Sequence, residues 1–138
     1  MTVKELMSSS VCFVRPDAPL RQAAALMKQY DIGFVPVCDS KGSLLGAVTD
    51  RDLVVRADFE EGQTAQTPVS RLMTPDLVTV PPDMDIHQAA CIFAKSKVRR
   101  LPVTENGRLV GILTVSDLAK KKLYLAEVGD IMGAMMRR

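Results

Sequence analysis

Apolar residues recur at helical spacing at Leu20, Ala23, Ala24 and Met27, and again at Ile86, Ala89, Ala90 and Phe93. Each set marks one face of an amphipathic helix whose small side chains allow close packing on a sheet. Pro19 suits the first turn of the first helix, and Asp85 followed by Gln88 resembles a capping box at the start of the second. After each helix the pattern shifts to two short β-rich runs, Phe34 to Cys38 with Leu44 to Thr49, then Leu101 to Thr104 with Leu109 to Thr114. The turns between them carry Ser40-Lys41-Gly42 and Asn106-Gly107, which are hairpin signals. Further helices are predicted from about Asp50 to Asp58 and from about Val115 to Lys122, and Pro68 suits the first position of a short helix through Met73.

The order of elements is the same in both halves, and so are the residues. Gly46-Ala47-Val48-Thr49-Asp50-Arg51-Asp52-Leu53 and Gly111-Ile112-Leu113-Thr114-Val115-Ser116-Asp117-Leu118 share Gly-x-x-Thr-x-x-Asp-Leu. At one constant offset Met7 aligns with Met73, Asp17 with Asp83, Ala23-Ala24 with Ala89-Ala90, and Val35-Pro36-Val37 with Leu101-Pro102-Val103. The offset shortens by one near Lys41, inside a turn, where a length change is tolerated. The fold expected is α+β, two β-α-β-β-α repeats. The expected boundaries are 1–58 for the first repeat, 59–68 for a polar connection around Glu60 to Thr67, 69–122 for the second repeat and 123–138 for a tail. In that tail Val128, Ile131, Met132, Met135 and Met136 form an apolar helical stripe, which Gly129 and Gly133 weaken. The stripe suits packing on this chain or on a second copy, and a Met-rich face also suits docking of another protein.

Composition narrows the function classes. The chain has 138 residues, 47% hydrophobic and 25% charged, enough for one domain or two half-sized repeats that are each marginal alone. A formal net charge of +2 gives no basic stripe for nucleic acid. No apolar run approaches the roughly 20 residues that span a bilayer, and Met1-Thr2-Val3-Lys4-Glu5 carries no signal-peptide core, so a cytoplasmic protein is expected. Cys12, Cys38 and Cys91 stand singly in apolar settings, which argues against a disulfide framework or a zinc site and for buried, reduced thiols. The one histidine, His87, falls on the polar side of its helix and reads as a surface residue. Ser116 and Asp117 have no histidine partner, and there is neither a nucleophile elbow nor a P-loop. No catalytic residue and no metal ligand is expected.

Together the Val-x-x-Leu-Met openings at Val3 to Met7 and Val69 to Met73, the Val-Pro-Val and Leu-Pro-Val runs, and the doubled Gly-x-x-Thr-x-x-Asp signature carry a resemblance. From about Val3 to Leu118 the chain resembles a tandem pair of cystathionine β-synthase (CBS) domains, a Bateman module of the bacterial stand-alone type. The resemblance implies two repeats related by a pseudo-two-fold axis around a shared cleft that holds AMP, ADP, ATP, NAD or S-adenosylmethionine. It also implies no obligatory cofactor, a homodimer paired through helices, and a signal passed by conformational change to a separate effector protein.

Carried onto this sequence, the resemblance puts Val35-Pro36 and Leu101-Pro102 at the adenine, Asp52 and Asp117 at the ribose hydroxyls, and Thr49 and Thr114 at the phosphates. An ionised carboxylate accepts two hydrogen bonds, as a ribose diol requires. Arg51, Arg99 and Arg100 are the nearby cations, and Ser116 lies within the second signature. The two sites are unequal. The first-strand contact position is Thr79 in the second repeat but Phe13 in the first, and Gly33-Phe34 stand where the second repeat has Arg99-Arg100. The second repeat is therefore the expected phosphate-bearing site, and the first the more apolar one. Thr and Asp at a strand-to-helix junction are also common capping residues. The signature alone leaves a structural role open, and with it an interaction or scaffolding module that binds no nucleotide.

Overall fold

The computed structural model describes residues 1–56, 62 and 64–137. The expected helix end at Asp58 and the polar connection at Glu60, Glu61 and Gln63 lie outside them. In chain order the regular elements are α1 (Val3–Leu6), α2 (Leu20–Tyr30), β1 (Phe34–Cys38), β2 (Leu44–Thr49), α3 (Ile86–Ser96), β3 (Arg100–Glu105), β4 (Arg108–Thr114), α4 (Val115–Ala119) and α5 (Leu125–Met136). A π-helical segment, Asp52–Arg56, follows β2, and 3-10 turns span Val69–Arg71 and Lys122–Tyr124. The fold is α+β. The strand expected before each long helix contracts to one bridging residue, Val14 beside Val37 and Val80 beside Val103, both parallel.

Two compact units form, one from Cys12–Leu77 and the other from Met1–Val11 with Val78–Arg138. The opening segment of each repeat thus packs in the unit built by the other. In the second unit Ser8 and Ile112 exchange backbone hydrogen bonds at 2.9 and 2.9 Å. In the first, Ala47 and Thr74 do so at 3.0 and 2.8 Å. This explains the glycine that opens each signature. A Cβ on Gly46 would lie 2.6 Å from the Thr74 carbonyl oxygen, and one on Gly111 2.5 Å from Met7 Sδ and 2.9 Å from the Ser8 carbonyl oxygen. A side chain at either position would push the bridging segment off the sheet.

Within each unit an antiparallel hairpin covers the long helix. β1 pairs with β2 from Phe34↔Thr49 to Cys38↔Leu44, and β3 pairs with β4 from Arg100↔Thr114 to Glu105↔Arg108. The tight turn at Asn106 and Gly107 has φ of 54° and 80°, the left-handed pair that matches strand twist. The first unit's core is Val14, Leu20, Ala23, Met27, Val35, Val37, Val48, Val69 and Leu72. The second packs Val3, Ile86, Ala89, Ala90, Phe93, Leu101, Val103, Leu113, Leu118, Tyr124 and Ile131.

Three expectations need correction. Ala24 is exposed although its counterpart Ala90 is buried. The reason is α5, which packs on α3 and covers Ala90, whereas no described element covers α2 in the same way. Asp85 is the N-cap of α3, yet its carboxylate makes no capping bond. Instead the Ile86 N–H donates to the Met1 carbonyl at 3.0 Å and the Asp85 carboxylate lies 3.9 Å from the terminal amine. Of the three thiols only Cys38 is buried, and Cys91 is exposed on α3. Burial, and then the charge of Asp39, push the Cys38 thiol pKa upward.

Candidate functional site

The site in the second unit is built where two chain segments meet. β3 begins at Arg100, directly opposite Thr114 at the end of β4, so the pairing register alone brings the Arg99-Arg100 entrance beside the Thr114–Ser116 exit. The Val115 N–H donates to the Arg99 carbonyl at 3.1 Å and locks that junction. Between these segments and α5 lies a cavity of about 300 Å³, lined by Arg99, Arg100, Thr114, Val115, Ser116 and Met132. That volume is at the small end of ligand pockets, which start near 300 Å³. The lining combines two arginines, two hydroxyl-bearing residues and the apolar Val115 and Met132, a mixture that suits an anionic, hydrogen-bonding ligand with an apolar part.

The signature has a structural task in both units. The Asp117 N–H donates to Thr114 Oγ1 at 3.1 Å, and the Thr114 N–H donates to Asp117 Oδ2 at 2.8 Å. Thr49 and Asp52 repeat the arrangement with the same two distances, 2.8 and 3.1 Å. Each pair is a reciprocal capping box that satisfies two N–H groups at a helix start. One oxygen of each aspartate is thereby committed. The other faces a cation, Asp117 Oδ1 lying 3.9 Å from Lys120 Nζ and Asp52 Oδ1 3.6 Å from Arg56 Nη1.

The first unit has the same frame with a different filling. The Asp50 N–H donates to the Gly33 carbonyl at 3.0 Å, as Val115 does to Arg99. The Asp50 side chain then folds across Gly33, where a Cβ would lie 2.7 Å from Asp50 Oδ2. Its Oδ1 accepts the Arg51 N–H at 2.8 Å. A carboxylate therefore stands at the first unit's junction, where the second presents Arg99, Val115 and Arg100.

Of the residues singled out from the sequence, the cavity gathers Arg99, Arg100, Thr114 and Ser116. Asp117 sits behind it, half-buried and tied to Thr114. Thr79 is exposed and does not line it. Leu101 and Val35 point into their cores with 0% exposure, and the Pro102 and Pro36 carbonyls accept N–H bonds from Val80 and Val14 at 3.1 and 3.0 Å. Phe34 and Gly33 are half-buried beside Thr49 and Asp50. Phe13 is 43% exposed, with the Arg15 guanidinium 5.6 Å over its ring. Val115 and Met132 are cavity residues the sequence pattern did not single out as such. The helical stripe of the tail was the available signal for Met132, since Ile131 is fixed in the core and Met132 follows it around the helix.

The comparisons with known proteins fit this frame. A family model for the CBS domain matches residues 3–57 and 69–124. The chain belongs to the CBS-domain family. As a CBS-domain pair it is 37% identical to the CBS domain-containing protein YhcV of Bacillus subtilis over 131 residues, covering 95% of this chain and 92% of that one. It is 34% identical to the inosine-5'-monophosphate dehydrogenase of Aquifex aeolicus, but spans only 24% of that enzyme. Among solved structures, CBSX2 in complex with AMP superposes with a TM-score of 0.79 at 30% identity, covering 91% of this chain and 98% of the other. CBS pairs are generally regulatory rather than catalytic.

Proposed function

We propose that the chain is a regulatory module that takes an adenosyl ligand at the cavity of its second unit. Arg99 and Arg100 hold the phosphate, while Thr114 and Ser116 hydrogen-bond the ligand's polar edge. The observation that carries this reading is the convergence of two arginines and two hydroxyl side chains on one cavity of about 300 Å³. The AMP complex of CBSX2 supports the ligand class. Occupancy then changes the chain's conformation, which a homodimer passes to a separate effector protein.

One observation favours a second reading. The reciprocal Thr and Asp bonds account for both signatures as helix caps without any ligand. On that reading the chain is an interaction or scaffolding module. A thermal-shift screen with AMP, ADP, ATP, NAD and S-adenosylmethionine separates the two, because a binder raises stability by RT ln(1 + [L]/Kd). The ligand reading predicts a concentration-dependent rise in Tm with AMP that is reduced in Arg99→Ala. No rise with any of the five compounds leaves the scaffolding reading standing.

A further inference from the structure

The cavity has one wall that belongs to neither repeat. Met132 lies on α5, beyond residues 69–124 that match the second CBS domain. α5 is fixed in place by Ile131 and Ala134, which are 0% and 5% exposed, and by partly buried Val128 and Met135 packed against the same core. Two polar links add to this: His87 Nδ1 lies 2.8 Å from Glu127 Oε1, and Lys97 Nζ donates to the Arg137 carbonyl at 3.2 Å. Met132 therefore has a supported backbone and a side chain left 40% exposed at the cavity. A flexible thioether adapts to a flat apolar surface and makes favourable sulfur–aromatic contacts.

We infer that Met132 is a base-contacting residue of the ligand site, packing on the apolar face of the base while the arginines take the phosphate. This rests on the ligand reading above and extends it: the tail helix becomes part of the site. The two kinds of contact are separable by a pair of probes, AMP and adenosine, which share the base and differ in the phosphate. Removing Met132 weakens both probes by the same factor. Removing Arg99 weakens AMP alone.

The test is calorimetric titration of AMP and adenosine into the wild-type chain and into Met132→Ala, Met132→Leu, Arg99→Ala and Met136→Ala. Met136 is on the same helix, 82% exposed and outside the cavity, so its variant controls for changes to α5 itself. Met132→Ala is expected to lower affinity about tenfold for both probes, given roughly 0.8 kcal/mol for each buried methylene lost. Met132→Leu, of similar volume, recovers most of that, and Met136→Ala matches wild type. Wild-type binding with Met132→Ala indistinguishable from Met136→Ala overturns the role of Met132 and leaves the ligand reading intact. A wild-type chain that binds neither probe overturns both. Circular dichroism melts of each variant check that the helix is retained, and Met132→Gln, of similar length but polar at its tip and expected to weaken both probes, carries the test if Met132→Ala does not fold.

Discussion

Asp117 and Asp52 each use one oxygen as a helix cap, and this decides what their removal does. Replacing a capping residue by alanine costs about 0.5–2 kcal/mol. Asp117→Ala and Asp52→Ala are therefore both expected to lower the denaturant midpoint by comparable amounts, because their bonds have the same lengths. Ligand affinity separates them. Asp117 adjoins the arginine-lined cavity, whereas Asp52 lies in the unit whose junction is occupied by the Asp50 carboxylate. Calorimetry is expected to show the larger loss of AMP binding for Asp117→Ala, and equal losses would remove the ranking. The difference in residues at the two junctions was legible in the sequence as Arg99-Arg100 against Gly33-Phe34. The acidic filling of the first junction was not, because the folding of Asp50 across Gly33 depends on a rotamer and on the missing Cβ.

At the scale of elements, the hairpins were read closely because period-two runs and turn residues are local signals. Asp39 shows how one such turn is held: its carboxylate accepts the Lys41 and Ser43 N–H groups, each at 2.9 Å. The Ser43 bond is the main cause holding the Asp39 pKa below its ordinary value, with Lys41 and the Arg15 charge adding to it. A depressed carboxylate stabilises the fold above its unfolded value and loses that contribution as pH falls through the lower, folded one. The Tm difference between wild type and Asp39→Ala is thus expected to hold from neutral pH down to about 3.8 and to shrink as pH falls further, through the lower folded value. A difference unchanged by acid would show that the charge is not what holds the turn. α5 was harder to read, since Gly129 and Gly133 lower its intrinsic propensity. Tertiary packing overrides that cost through Ile131, which is 0% exposed. Ile131→Ala is expected to destabilise the chain by about 2–5 kcal/mol in urea melts. A much smaller loss would mean that α5 is only loosely docked.

At the scale of the whole molecule, the compact units of the structure cut across the repeats written in the sequence. Met1–Val11 packs with Val78–Arg138, and the Thr74 segment pairs with Ala47. Duplication was plain from residue identities, but exchange of the opening segments was not, because a bridge such as Ser8 with Ile112 has no local signal. Neither half then contains a complete core. Fragments 1–66 and 67–138, made separately, are expected to show little cooperative unfolding by circular dichroism, and their mixture to recover it. Two independently cooperative fragments would contradict that interdependence.

The central claim, that the second unit's cavity takes an adenosyl ligand through its arginines, is tested most directly by titrating AMP into the wild-type chain and into the Arg99→Ala/Arg100→Ala double variant. Hydrogen bonds to charged groups contribute about 1.5–3 kcal/mol each, so the account predicts saturable wild-type binding that falls at least tenfold in the variant. Equal affinity in the two proteins, or no binding to the wild type, would contradict it.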